Sequence, residues 1–220
     1  MPKDRAVQPT RAEYSARTAY DRSLTKSLRT QSKGTGWKTI SGWLYQQRGD
    51  WFVSILPSVH RNARRTVVRI TVKPMAIDPI FWDIVGLPEN RSMPLSFRAN
   101  AAWGCHPPYL AEIEVEEHED TAVLATRVIS AADEQLEIIM KTLSADTFLA
   151  HCQNSGARWG SHLPCVVSTL ITMDRREDAL AQCLEAQTRG KGGVFVVVPE
   201  GNFVQMAIAR LQSELAHSKG

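Results

Sequence analysis

The sequence predicts an α+β fold, an antiparallel meander-based sheet with helices packed around it. Three observations predict it. Residues 37–73 hold three strand-like runs joined by tight turns. A capped helical stripe precedes them, and two further stripes with start and stop signals close the chain. Helical stretches also lie on both sides of this meander rather than between its strands, as in an antiparallel sheet with helices gathered around it.

The elements follow in order. Residues 1–9, charged and holding Pro2 and Pro9, read as a disordered N-terminal arm, and residues 10–220 as a single α+β domain. Thr10 and Glu13 have the spacing of a capping box. Behind them Ala16, Tyr20, Leu24 and Leu28 recur four apart, the stripe of a surface helix whose other faces carry Arg11, Arg17, Arg22, Lys26 and Arg29. Residues 32–36 end it. Residues 37–46 are expected to form one strand, Gln47-Arg48-Gly49-Asp50 a turn, and residues 51–59 the return strand. Aromatic and β-branched pairs across such strands stabilise a sheet by about 0.2–1 kcal/mol each. A third strand covers residues 66–73, with Thr66, Val68, Ile70 and Val72 on one face and Arg65, Val67, Arg69, Thr71 and Lys73 on the other.

Six prolines between residues 74 and 108 make the middle irregular, with room for a helical turn at 78–85. Residues 111–117 read as a strand with Glu112, Glu114 and Glu116 on one face. Helix is expected over 121–143, with a break near Ser130, and over 146–153, making 121–155 a candidate helical lobe. The Val, Thr and Ile of residues 163–173 suggest a strand. Asp174 and Glu177 start a helix that Gly190 stops, residues 194–198 form a strand, and 203–217 form the last helix.

Charge divides the chain. Residues 1–73 hold 15 Lys and Arg against 4 Asp and Glu, and residues 74–220 hold 11 against 19, so +11 and −8 sum to the overall +3. Such a division marks either a footprint for an acidic partner or two halves that neutralise each other in the fold. The second is expected here: beside the third strand, the three glutamates of 111–117 would face Arg65, Arg69 and Lys73. No apolar run approaches the roughly 20 residues of a membrane span, and residues 1–30 lack the apolar core of a signal peptide. The cytoplasm is the expected location and no membrane role is expected. Cys105, Cys152, Cys165 and Cys183 form no CxxC pair and read as buried reduced thiols.

No motif assigns a catalytic residue or a cofactor. Gly34, Gly36, Lys38 and Thr39 imitate a phosphate loop, but Gln31 stands where the first glycine belongs, and the segment runs from helix into strand, the reverse of the phosphate-binding order. His151, Cys152, His162 and Cys165 are the right donor types for zinc, yet adjacent helical residues point about 100° apart and cannot readily share one ion. No metal ligands are assigned. Cationic side chains interleaved with Trp37, Trp43, Tyr45 and Trp51 could make a single-strand stacking platform, so nucleic acid through the basic N-terminal face is the alternative partner. A metal-dependent hydrolase is the further alternative. The leading expectation is a non-enzymatic interaction domain of the adaptor or toxin-neutralising kind that binds a protein. Its expected binding residues are Trp43 and Trp51 as aromatic anchors with Arg65 and Arg69 as charged contacts, since Trp and Arg are enriched at binding hot spots.

Overall fold

The computed structural model describes residues 10–60, 65–99, 103–116, 118, 120–155, 162–190, 196–197 and 201–217, the side chains of 59, 60, 65, 196 and 197 excepted. The expected N-terminal arm lies outside them. Helix α1 (Arg11–Gln31) opens on the full capping box: Thr10 Oγ1 accepts from the Glu13 backbone N–H at 3.2 Å, and the Glu13 carboxylate accepts from the Thr10 backbone N–H at 2.7 Å. These hydrogen bonds hold the Glu13 carboxyl below its ordinary 4.5.

Strands β1 (Lys38–Ile40), β2 (Trp43–Arg48), β3 (Trp51–His60), β4 (Arg65–Pro74) and β5 (Ala111–Glu116) form one antiparallel sheet in the order β1-β2-β3-β4-β5. The strand expected over 37–46 is two strands. Ser41 and Gly42 both adopt positive φ, 47° and 83°, and reverse the chain so that Ile40 pairs with Trp43. The Ser-Gly pair between Ile40 and Trp43 is the sequence signal for this reversal. The meander from β2 to β4 stands as read.

Two cores share the molecule. The inner sheet face, through Leu44, Val53, Ile55, Val68, Ile70, Val72 and Val115, packs against Leu24 and Leu28 of α1 and against Leu124, Val128 and Leu136 of α3 (Thr121–Met140). Of the α1 stripe only the later turns are covered; Ala16 stays exposed. The second core is helical, built from α2 (Ile77–Ile84), α4 (Ala145–Asn154), α5 (Leu163–Thr172), α6 (Arg176–Thr188) and α7 (Phe203–His217). Trp51 and Leu143 touch both cores and join them. Beyond these, β6 (Val196–Val197) and β7 (Gly201–Asn202) form a separate two-stranded pair.

Three further expectations change. Residues 163–173 form helix α5, not a strand: every residue of Leu163–Thr172 from Pro164 to Ile171 is buried, so the segment has no polar face to reveal its period, and Pro164 suits a first helical turn. Helix α3 runs through Ser130 without a break. Residues 121–155 also divide between the cores, α3 going to the sheet and α4 to the helices, because α3 presents its apolar face to the strands. Helix α7 has the bounds read from its periodicity.

Candidate functional site

Strand alternation places one row of side chains across the outer sheet face. Ile40 pairs with Trp43, Leu56 with Arg69, and Arg69 with Glu112. The register that sets Leu44 against Ile55 carries Trp43 alongside Leu56. Ile40 is 37% exposed, and Trp43, Leu56 and Arg69 are half-buried. Arg69 is held in place: Nε donates to Glu112 Oε1 at 2.7 Å, and the guanidinium lies 5.3 Å over the Tyr109 ring. Among the described residues its two Nη groups and the Trp43 indole N–H have no hydrogen-bond partner. An aromatic anchor and an ordered cationic fork thus share one sheet face.

The four expected binding residues do not all meet. Trp43 and Arg69 share the row. Trp51 lies on the opposite face, in edge contact with Phe148 at 6.1 Å, where it seals the two cores together. Arg65 pairs in backbone register with Glu116, but its side chain lies outside those described.

The expected charge ladder is partly present. Glu112 meets Arg69 as read, while Glu114 lies opposite Val67. Lys73 meets no glutamate, because β5 begins at Ala111, opposite Ile70, and ends before reaching it. It lies instead under a roof formed by the 3-10 turn Leu95–Ala99 and by Cys105. Its side chain is 2% exposed, and Nζ donates to Asp78 Oδ1 at 2.9 Å, the Arg98 carbonyl at 2.9 Å and the Cys105 carbonyl at 2.8 Å. Asp78 also accepts from the Cys105 backbone N–H and from Arg98 Nη1, so all three charges are bonded. A Cβ on Gly104 would stand 3.0 Å from Asp78 Oδ1, which accounts for glycine there. Sequence reasoning missed this triad because its members lie 5 and 25 residues from Lys73.

Arg48 reaches across to Asp133 and Glu137 of α3 at 2.7 and 2.9 Å. Arg48, Arg69 and Lys73 are therefore neutralised within the fold. Trp37 is buried and donates to Asp133, and Tyr45 is stacked on Phe52. With Trp51 between the two cores, three of the four aromatics of the supposed stacking platform thus belong to packing.

The fold brings the His–Cys pairs together. His162 Nδ1 lies 2.8 Å from the His106 carbonyl, the two rings are 6.3 Å apart, and His151 Nε2 lies 3.1 Å from the Tyr109 carbonyl. Beneath them the Cys105 thiol contacts that of Cys165, which in turn contacts Cys152. Burial lowers His106 and His162 below their ordinary 6.5. Burial also pushes the Cys105 and Cys165 thiols well up and raises Cys183 to about 12. No three His, Cys, Asp or Glu side chains among the described residues are grouped to hold a metal ion. The adjacency of His151 and Cys152 on α4 works as expected: Cys152 enters the core while His151 turns to the loop.

The thiols should be inert. At pH 8 only about one Cys183 in 10⁴ is thiolate, and all four cysteines are buried. Native protein treated with an aromatic disulfide reagent at pH 8 is expected to release no thiolate colour within an hour, and unfolded protein four equivalents. Rapid labelling of a thiol in the native state would refute this burial.

A cleft of about 660 Å³ is lined by Ile80, Ile171, Arg176, Arg210, Glu214 and His217 among others. Burial works to raise the Glu214 carboxyl, but Arg210 at 2.7 Å and Arg176 at 3.2 Å hold it below its ordinary 4.5. Within the cleft, the charges of Arg176, Arg210 and Glu214 compensate one another. No described helix is long and apolar enough to cross a membrane. Comparison with protein-family models, curated proteins and solved structures finds no match.

Proposed function

We propose that the chain is a non-enzymatic interaction domain of the adaptor or toxin-neutralising kind that takes a protein partner on the outer sheet face. The observation that supports this reading is the row Ile40, Trp43, Leu56 and Arg69, an apolar strip ending in a guanidinium ordered by Glu112 and Tyr109. Partly exposed aromatics beside an ordered arginine suit a hot spot, since little side-chain freedom remains to be lost on binding. The free Nη groups of Arg69 suit a partner carboxylate, and the Trp43 indole N–H suits a carbonyl. Trp51 drops out of this surface, and Arg65 stays as a flanking contact.

The test begins with affinity purification of tagged protein from its host and identification of the retained protein by mass. Titration with that purified protein should then show Trp43→Ala with Arg69→Ala weakening binding by about 10³-fold, at roughly 2 kcal/mol for each hot-spot residue. Melting curves of the variant should match those of the parent. Undiminished affinity in the double variant would show that the partner uses another surface.

A further inference from the structure

Five cations on or just past α1 are not neutralised as Arg48, Arg69 and Lys73 are. Among the described residues Arg11, Arg22, Lys26, Arg29 and Lys33 form no ion pair, and all five are exposed. Their spacing puts Arg11, Arg22, Lys26 and Arg29 on one line, about 140° round the helix from the buried Leu24 and Leu28. Lys33 follows just past the helix end. Ser15 lies on the same line, Glu13 falls on the opposite side, and Asp21 stands about 100° round the helix against Arg17, so no carboxylate interrupts the line. The line runs about 27 Å from Arg11 to Arg29 at 1.5 Å per residue.

We propose that this ridge of α1 binds the phosphate backbone of a nucleic-acid duplex, independently of the sheet-face reading. Helical positions three and four apart are about 5–6 Å from each other, a spacing that lets Arg22, Lys26 and Arg29 meet phosphates in succession. Hydroxyls such as that of Ser15 are common phosphate donors. Other polyanions fit less well. Single strands need several aromatic stacking surfaces in succession, and among the described residues only Tyr14, 66% exposed, stands beside the ridge. A membrane surface would draw on an apolar helix face, but Leu24 and Leu28 are buried in the sheet core. An acidic protein interface needs an apolar centre, and the ridge has none.

The test uses the full chain and a fluorescent mixed-sequence duplex of about 20 base pairs, titrated between about 50 and 200 mM salt. Four phosphate contacts predict a slope of log K against log salt near −3.6, about a 150-fold loss over that range. Arg22→Gln, Lys26→Gln and Arg29→Gln together should cut the slope to about −0.9 and the loss to about fourfold. All three residues are exposed, and a melting curve checks the fold. Arg175→Gln with Arg189→Gln removes two cations paired with Asp178 and Glu185 and should leave the slope unchanged. Four results would overturn the proposal: no duplex binding at the lowest salt, an unchanged slope in the triple variant, an equal loss in the control, or tighter binding to phosphatidylserine vesicles or polyglutamate than to the duplex.

Discussion

Asp78→Ala is expected to lower stability by about 3–5 kcal/mol, the cost of leaving buried charge without its counter-ion. Asp78 is fully buried, and its two oxygens accept from Lys73, the Cys105 backbone and Arg98. Without it, the Lys73 ammonium keeps two carbonyl partners but no opposite charge, at 2% exposure. Arg98 keeps the Met75 carbonyl and the Trp82 face, 5.2 Å from its guanidinium. In urea, with a slope of roughly 2 kcal/mol/M, the midpoint should fall by about 1.5–2.5 M. The comparison with Lys73→Met in the Asp78→Ala background is informative. Removing the orphaned ammonium should recover part of the loss, because an apolar side chain tolerates the site better than an unpaired cation. A cost below about 1 kcal/mol for Asp78→Ala would mean that this triad is not the buried ionic lock described.

Trp82→Ala is expected to cost a similar amount, about 3–5 kcal/mol, by a different route. The indole is 1% exposed and sits in the helical core of α2. Its ring lies 6.1 Å from Phe97 and faces the Arg98 guanidinium, and Nε1–H donates to the Trp103 carbonyl at 2.5 Å. One side chain therefore ties α2 to the irregular stretch that roofs Lys73 at Phe97, Arg98 and Trp103. Truncation leaves a large cavity and frees that stretch, so protease cleavage between residues 86 and 110 should accelerate beyond the global loss of stability. Trp82→Phe keeps most of the volume and loses the indole bond, which predicts a cost of about 1–2 kcal/mol. If Trp82→Ala destabilises the whole molecule yet leaves those residues as resistant as before, the clasp is elsewhere.

The irregular stretch shows what could not be read ahead. Its prolines announced the absence of regular structure, but not that Leu95–Ala99 would cover Lys73 while Arg69, four residues away on the same strand face, stayed half-open. The strict alternation of 66–73 predicted that the two cations share a face. Only the roof separates their fates. The binding-surface reading was affected in the same way: Trp43 and Trp51 looked equivalent as aromatics of neighbouring strands, and the pairing of Arg48 with Trp51, five residues along the strand from Trp43, puts them on opposite faces.

Local chemistry was enough for the capping box of α1, the bounds of α7 and the β2–β4 meander, because each depends on periods and turn residues within a few positions. The facing of Arg69 with Glu112, 43 residues apart, was legible from charge complementarity between two alternating strands. Helix α5, the Lys73–Asp78–Arg98 lock and the meeting of Cys105, Cys152 and Cys165 were settled by tertiary packing. A segment buried on every side shows no period, and a charge or thiol drawn into the interior is placed by distant residues that fold over it.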